Sequence, residues 1–154
     1  MTRKFLTLCI PVREGQVLLG MKKRGFGAGK WNGFGGKLEP GETIEEAAKR
    51  ETLEECGITI DDMEEVGIHE FVFRDTPDEL LEVHVFRVMS FTGDPLETEE
   101  MRPQWFSNDT LPLEKMWADD EFWFPLFLSG KRLRGKFFFD QAGQVLEKTL
   151  QIVD

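Results

Sequence analysis

The amino-acid sequence predicts a sheet with few helices, an α/β or α+β arrangement. Three observations carry this. Short strand-like runs recur along the chain between turn residues. Only two segments, 43–56 and 119–128, carry helix signals. The composition, 40% apolar and 31% charged over 154 residues, is that of one ordinary globular domain, 1–154, with a sizeable core.

Residues 4–12 read as a first strand, Glu14-Gly15 as a turn and 16–23 (QVLLGMKK) as a second strand. Residues 24–37, RGFGAGKWNGFGGK, hold six glycines and read as an irregular loop. The helix at 43–56 is the clearest element. Thr43 with Glu46 three residues on forms a capping box, Gly57 is the stop, and Ile44, Ala47 and Ala48 mark the buried face. Strands near 65–74 and 80–91 flank the turn-like DTPDE and predict a hairpin. RPQWFS reads as another short strand. The second helix takes Asp119 as its N-cap and contains Pro125, which should kink or shorten it. Residues 132–139 and 144–152 make a last hairpin around DQAG.

Charge and cysteine content narrow the function classes. A net charge of −10 argues against binding long nucleic acid, which needs a basic face. It leaves phosphorylated small molecules open, because metal ions held by carboxylates reverse the local sign. No apolar run approaches the roughly 20 residues that span a bilayer, so no membrane partner is expected. The N-terminus lacks the apolar length and cleavage site of a signal peptide. Cys9 and Cys56 show neither CxxC spacing nor a disulfide framework. A reducing compartment is therefore the default: the cytoplasm, with mitochondrion or nucleus also compatible. His69 and His84 read as strand residues without a role.

The first helix places Glu51, Glu54 and Glu55 within about a 100° arc. Three like charges on one face are unfavourable unless something positive sits among them. A solvated acidic face is the plain reading, but a glycine loop ends at Gly35-Gly36 just before this helix. Glycine lets backbone approach a ligand closely, and carboxylates with backbone oxygen suit a hard ion such as Mg²⁺.

The run GKLEPGETIEEAAKRETLEECGI, Gly36 to Ile58, resembles the Nudix box, G-x5-E-x7-R-E-U-x-E-E-x-G-U with U aliphatic. Gly36, Glu42, Arg50, Glu51, Glu54, Glu55, Gly57 and Ile58 fall in register. Thr52 departs from the first U position, with a small packing cost and no loss of activity expected. The resemblance implies an α/β/α sandwich, a mixed sheet between the 43–56 and 119–128 helices. It implies a hydrolase of nucleoside diphosphates linked to another group. Glu51, Glu54 and Glu55 would be catalytic and, with the Gly36 carbonyl and Glu100, would bind Mg²⁺, for which Mn²⁺ can substitute. Arg50 and Glu42 would orient the acids. The expected base is Glu55, with Glu54 next; spacing does not decide between them.

VLLGMKKRGFGAGKWNGFGGK (17–37), EMRPQWF (100–106) and MWADDEFWFP (116–125) further resemble the MutT-like oxidised purine nucleoside triphosphatases of animals, a likeness running from Phe5 to Val153. That resemblance implies 8-oxo-dGTP and 2-hydroxy-dATP as substrates, with some methylated purine triphosphates, and release of monophosphate and pyrophosphate. It implies a purine pocket of Asn32, Trp117, Asp119 and Asp120, lined by Phe26, Phe71 and Phe73 with Thr7 and Leu8. Lys22 would lie on the phosphate or sugar side and Leu81, where methionine is frequent, opposite the base. Phe34, Gly35, Gly36, Lys37, Ala118 and Trp123 complete the implied set. Each also has a plain reading: Asn32 as a turn residue, Trp117 and the Phe71/Phe73 alternation as core, Glu100 as a solvated loop acid.

Asp119 and Asp120 suit a purine edge. Neighbouring carboxylates in an apolar pocket tend to share a proton, so the pair can accept twice or accept and donate. Both can reach one ligand only if the chain bends at 118–120. Hydrolysis of ADP-ribose or a dinucleoside polyphosphate, a non-catalytic nucleotide-binding module and an acidic interaction domain are the alternatives. A monomer is the default.

Overall fold

The computed structural model describes residues 1–153. Its elements in chain order are β1 (Thr2–Arg13), β2 (Gln16–Lys22), β3 (Trp31–Asn32), α1 (Ile44–Cys56), β4 (Thr59–Phe73) and β5 (Glu79–Thr92). These are followed by β6 (Met101–Ser107), a 3₁₀ turn (Leu113–Lys115), α2 (Asp120–Leu128), β7 (Arg132–Phe139) and β8 (Val145–Val153). Among the described residues the strand order is β3-β2-β1-β5-β4-β7-β8, with β6 on the free side of β2. Pairing is parallel for β1/β5 and β4/β7 and antiparallel elsewhere, so the sheet is mixed.

Strand alternation sends neighbours to opposite faces. On one face Cys9, Ile60, Phe86 and Val88 pack against Ala48 of α1. On the other, Ile10, Val83, Val85, Leu133 and Phe137 pack against Trp123, Phe124 and Phe127 of α2. The expected two-helix sandwich is the fold observed.

The structure amends the sequence reading at four places. First, the glycine loop is not wholly irregular. β1 and β2 pair only at Val12/Val17 and Arg13/Gln16 beside their turn, and Phe34 and Lys37 bridge to β1 lower down. Second, β4 begins at Thr59, six residues earlier than expected. Register shifts near Ile60/Asp62 and Glu65/Gly67 break the alternation that would have revealed it. Third, Asp119 occupies the cap position of α2 without capping it. Fourth, Ile44 is only half-buried, while Thr52 and Glu55 join Ala47 and Ala48 on the buried face of α1. α2 itself ends at Leu128, three residues after Pro125, in keeping with the expected shortening.

His69 on β4 is more unusual than a strand residue without a role. It is 1% exposed and neither ring nitrogen has a hydrogen-bond partner among the described residues. Its ring lies 4.9 Å from Trp123 and 5.5 Å from Phe137. Gly135 leaves it room: a Cβ there would stand 2.5 Å from Nδ1. Burial pushes this imidazole down to about 4. The unfolded chain therefore takes up a proton near pH 6.5 that the folded chain refuses. Stability falls as pH drops through this window. Relative to His69→Leu, the wild type should lose about 1 kcal/mol between pH 7.5 and 5.5 in urea denaturation. A difference that does not vary with pH would contradict this account.

Candidate active site

The glutamate face depends on the rotational setting of α1. The Thr43 hydroxyl accepts from the Glu46 amide at 3.1 Å, and the Glu46 carboxylate accepts from the Thr43 amide at 2.9 Å. At the other end Gly57 adopts φ 77° and donates to the Leu53 carbonyl. The capping box and glycine stop therefore form as the sequence predicts.

The positive charge that the acids require is Arg50. Its guanidinium donates to both oxygens of Glu42, at 2.6 and 3.1 Å, and to Glu51 at 2.8 Å. It also reaches Glu54 at 3.4 Å and the Lys37 carbonyl at 3.1 Å. The Arg50 bond holds the Glu42 carboxyl below its usual range. Bidentate pairing of this kind fixes direction as well as distance. Arg50 thus ties the helix to the loop while leaving Glu54 largely exposed.

Glu55 is set differently. It is 5% exposed and accepts from the Gly35 amide at 2.8 Å. Burial pushes its carboxyl up to about 7; the Gly35 bond and Lys22 pull it down, while Glu51 and Glu100 push it up. A carboxylate balanced near neutral pH suits proton transfer. Glu100 pairs with Arg24 at 3.2 Å.

Two glycines bring these groups together. A Cβ on Gly35 would fall on the Thr7 carbonyl of β1, and one on Gly36 would stand 2.5 Å from the Glu51 carboxyl carbon. The Gly36 carbonyl accepts from the Thr7 amide at 2.9 Å and, more weakly, from the Thr7 hydroxyl at 3.4 Å. Among the described residues no three acidic, histidine or cysteine side chains converge tightly as they stand. The donor set of carboxylates and a carbonyl nevertheless has the all-oxygen chemistry that a hard divalent ion requires.

Thr52 is fully buried and its hydroxyl has no partner among the described residues. A buried hydroxyl in place of an aliphatic group adds a polar cost at this position.

A cavity of about 320 Å³ runs from Glu55 to the start of α2. Thr7, Leu8, Lys22, Phe26 and Asn32 line it, as do Gly35, Gly36 and Lys37 at the helix end and Phe71, Phe73 and Leu81 along the sheet. Trp117, Asp119 and Asp120 close the far side. The Asn32 side chain accepts from the Gly33 amide at 2.9 Å, so a turn role and a cavity role coexist. Three of the expected residues do not line it. Phe34 is fully buried and packs with Leu18, Cys56, Ile58 and Met101, because β1 pairing turns its side chain into the core. Ala118 lies outside the lining. Trp123 is a core residue whose indole donates to Asp119. Leu6, Gly27, Gly33, Val83, Met101 and Phe139 line the cavity without having been anticipated. Val83 had a signal in its spacing, two residues beyond Leu81 on one strand face.

Both aspartates are 3% exposed and both reach the cavity. The bend that this requires is a turn in which Asp119 is helical (φ −71°, ψ −24°) and the Asp120 amide bonds the Trp117 carbonyl at 3.0 Å. Asp119 accepts from the Trp123 indole at 2.7 Å, whereas Asp120 Oδ2 has no partner among the described residues. Burial raises both carboxyls, and the charge of Asp119 raises Asp120 further. Both directions favour the protonated form, more strongly at Asp120.

The Gly36 geometry yields a test. Gly36→Ala should displace the Glu51 carboxylate and lower kcat by at least about tenfold, with an unchanged far-UV circular dichroism spectrum. Wild-type kcat in this variant would show that the close approach is dispensable.

Comparison with known proteins agrees with this geometry. The NUDIX domain family matches residues 3–127. The chain is 54% identical over 153 residues to the oxidized purine nucleoside triphosphate hydrolase of Danio rerio, covering 99% of this chain and 97% of that protein. It is 50% identical, with the same coverage, to the protein of that name in Mus musculus. A crystal structure of a MutT protein from Bacillus halodurans superposes with a TM-score of 0.83 at 31% identity, covering 96% of this chain and 97% of the other. With its box residues gathered around Arg50 and a family match over most of its length, the chain belongs to the Nudix family of hydrolases.

Proposed function

We propose that this chain hydrolyses oxidised purine nucleoside triphosphates to the monophosphate and pyrophosphate, and so clears mispairing bases from the nucleotide pool. One observation carries the reading: a single cavity has Glu55 at one end and the Asp119/Asp120 pair at the other. The high identity to the two animal hydrolases supports the substrate class.

In this proposal the purine lies against Trp117, beside Phe26 and Phe73 which border that ring, with its polar edge toward the aspartates. An ionised Asp119 accepts from N–H groups, and protonated Asp120 donates to an oxygen or ring nitrogen. Moving one proton between them lets the pair read oxidised guanine or oxidised adenine. Lys22 and Lys37 face the phosphates. Glu51, Glu54, Glu55, Glu100 and the Gly36 carbonyl are the residues that would hold Mg²⁺, with Mn²⁺ able to substitute. When bound, the ion would neutralise phosphate charge and lower the pKa of bound water. Glu55, poised near neutral by burial, accepts a proton from the attacking water, with Glu54 the other candidate.

A single monomeric domain in the cytoplasm is part of the proposal. Its two cysteines are buried free thiols, and among the described residues no helix is long and apolar enough to cross a membrane.

A panel of nucleotides with pyrophosphate detection separates the readings. Pyrophosphate and a monophosphate from 8-oxo-dGTP or 2-hydroxy-dATP, dependent on Mg²⁺, are expected. AMP from ADP-ribose as the main reaction would replace this function, and Mg²⁺-independent or absent hydrolysis would favour a binding module. In the same assay Asp119→Asn and Asp120→Asn should change the ratio of kcat/KM for 8-oxo-dGTP and 2-hydroxy-dATP, each by about tenfold or more. An unchanged ratio in both variants would end the proton-exchange account.

A further inference from the structure

Trp117 carries a cation on its ring. The Lys30 ammonium lies over the indole, 5.3 Å from the centroid. Lys30 does not line the cavity, whereas Trp117 does. The ring is also bordered by Phe26 at 5.1 Å, Phe73 at 6.0 Å and Phe139 at 6.3 Å.

The backbone holds Lys30 in this place. Its carbonyl accepts from the Lys22 amide at 3.1 Å, and the neighbouring Gly29 amide bonds the Lys22 carbonyl at 2.9 Å. Lys30 also precedes β3, which pairs with β2. The ammonium therefore approaches Trp117 from a stem anchored to the sheet.

The electrostatics point the same way. Around the aspartate pair the charged or titratable neighbours are few. Lys22, Lys37 and Glu55 line the same cavity toward the helix, and His69 faces Trp123 from β4 as a neutral ring. Lys30 is the cation whose field opposes the burial of Asp120.

Resting on the base-pocket reading above, we propose that Lys30 is a positioning and specificity-determining residue. It holds the Trp117 indole as a stacking platform from behind and keeps a positive charge beside the Asp119–Asp120 pair. A cation on the far face draws electron density from the indole, which favours stacking of an electron-rich oxidised purine on the near face. The same charge favours one ionised carboxylate in the pair over none.

The test compares wild type, Lys30→Met and Lys30→Arg on 8-oxo-dGTP from pH 5.5 to 8.5. Trp117 emission is isolated by difference against Trp117→Phe. Lys30→Met should raise KM about three- to tenfold and leave kcat within about twofold. It should move the acid limb of kcat/KM to higher pH, because losing the cation favours the protonated pair. It should also shift the Trp117 emission. Lys30→Arg should restore KM, pH profile and emission. Wild-type behaviour of Lys30→Met, or equal impairment of Lys30→Arg, overturns the proposal while the function stands. A wild type inactive on 8-oxo-dGTP overturns the functional reading and this proposal with it.

Discussion

The molecule turns on the approach of two glycines to β1 and α1. At Gly35 a side chain would occupy the Thr7 carbonyl, and at Gly36 it would press on the Glu51 carboxyl. Without a Cβ at either position the loop adds itself to β1, bonding Thr7, Cys9 and Phe5 in turn. The same backbone then presents the Gly35 amide to Glu55 and the Gly36 edge to Glu51. Strand, loop and helix meet there with no intervening side chain. Thr7 and Leu8 on that strand also line the cavity. One steric condition therefore fixes the distance between the glutamates of α1 and the strand residues that line the cavity.

Charge is arranged around this junction by burial. Glu42 and Glu51 meet Arg50 in short bonds. Glu55 and the aspartates are withdrawn from water and hold their protons more tightly. Desolvation penalises the charged form, so carboxylates of one chemical type acquire different duties by depth alone. The net charge of −10 describes the whole surface; it says little about a cavity whose rim holds Lys22 and Lys37. Two of the buried polar residues without partners lie at or near the cavity: the Asp120 oxygen faces it, and His69 lies one ring away, beside Phe71. Such groups cost stability.

Local signals located most of the elements, because caps, turns and alternation act over a few residues. The α1 capping box, both hairpins and the helix around Pro125 are of this kind. The start of β4 escaped because bulges near Asp62 and Gly67 interrupt the period of two. The resemblance implied Phe34 in the pocket, yet strand pairing with Cys9 sends its ring into the core. Asp119 looked like a cap, and its side chain instead takes the Trp123 indole. In each case a bond to a distant or following residue outweighed the local preference.

By itself the sequence determined the first helix and its glutamate face, since these depend on spacing within 23 residues, and its resemblance to the Nudix box implied the reaction class. Only the tertiary structure decided that Asp119 and Asp120 converge, because that requires a helical turn at Asp119 closed by the Trp117 carbonyl. Only it placed Glu55 at depth, since that depth comes from β1 and the Gly35 loop packed against α1. And only it brought Lys30 onto Trp117, 87 positions away in the chain. Spacing can rank side chains along one helix or strand; which strands part to open a cavity depends on long-range pairing that no short stretch encodes.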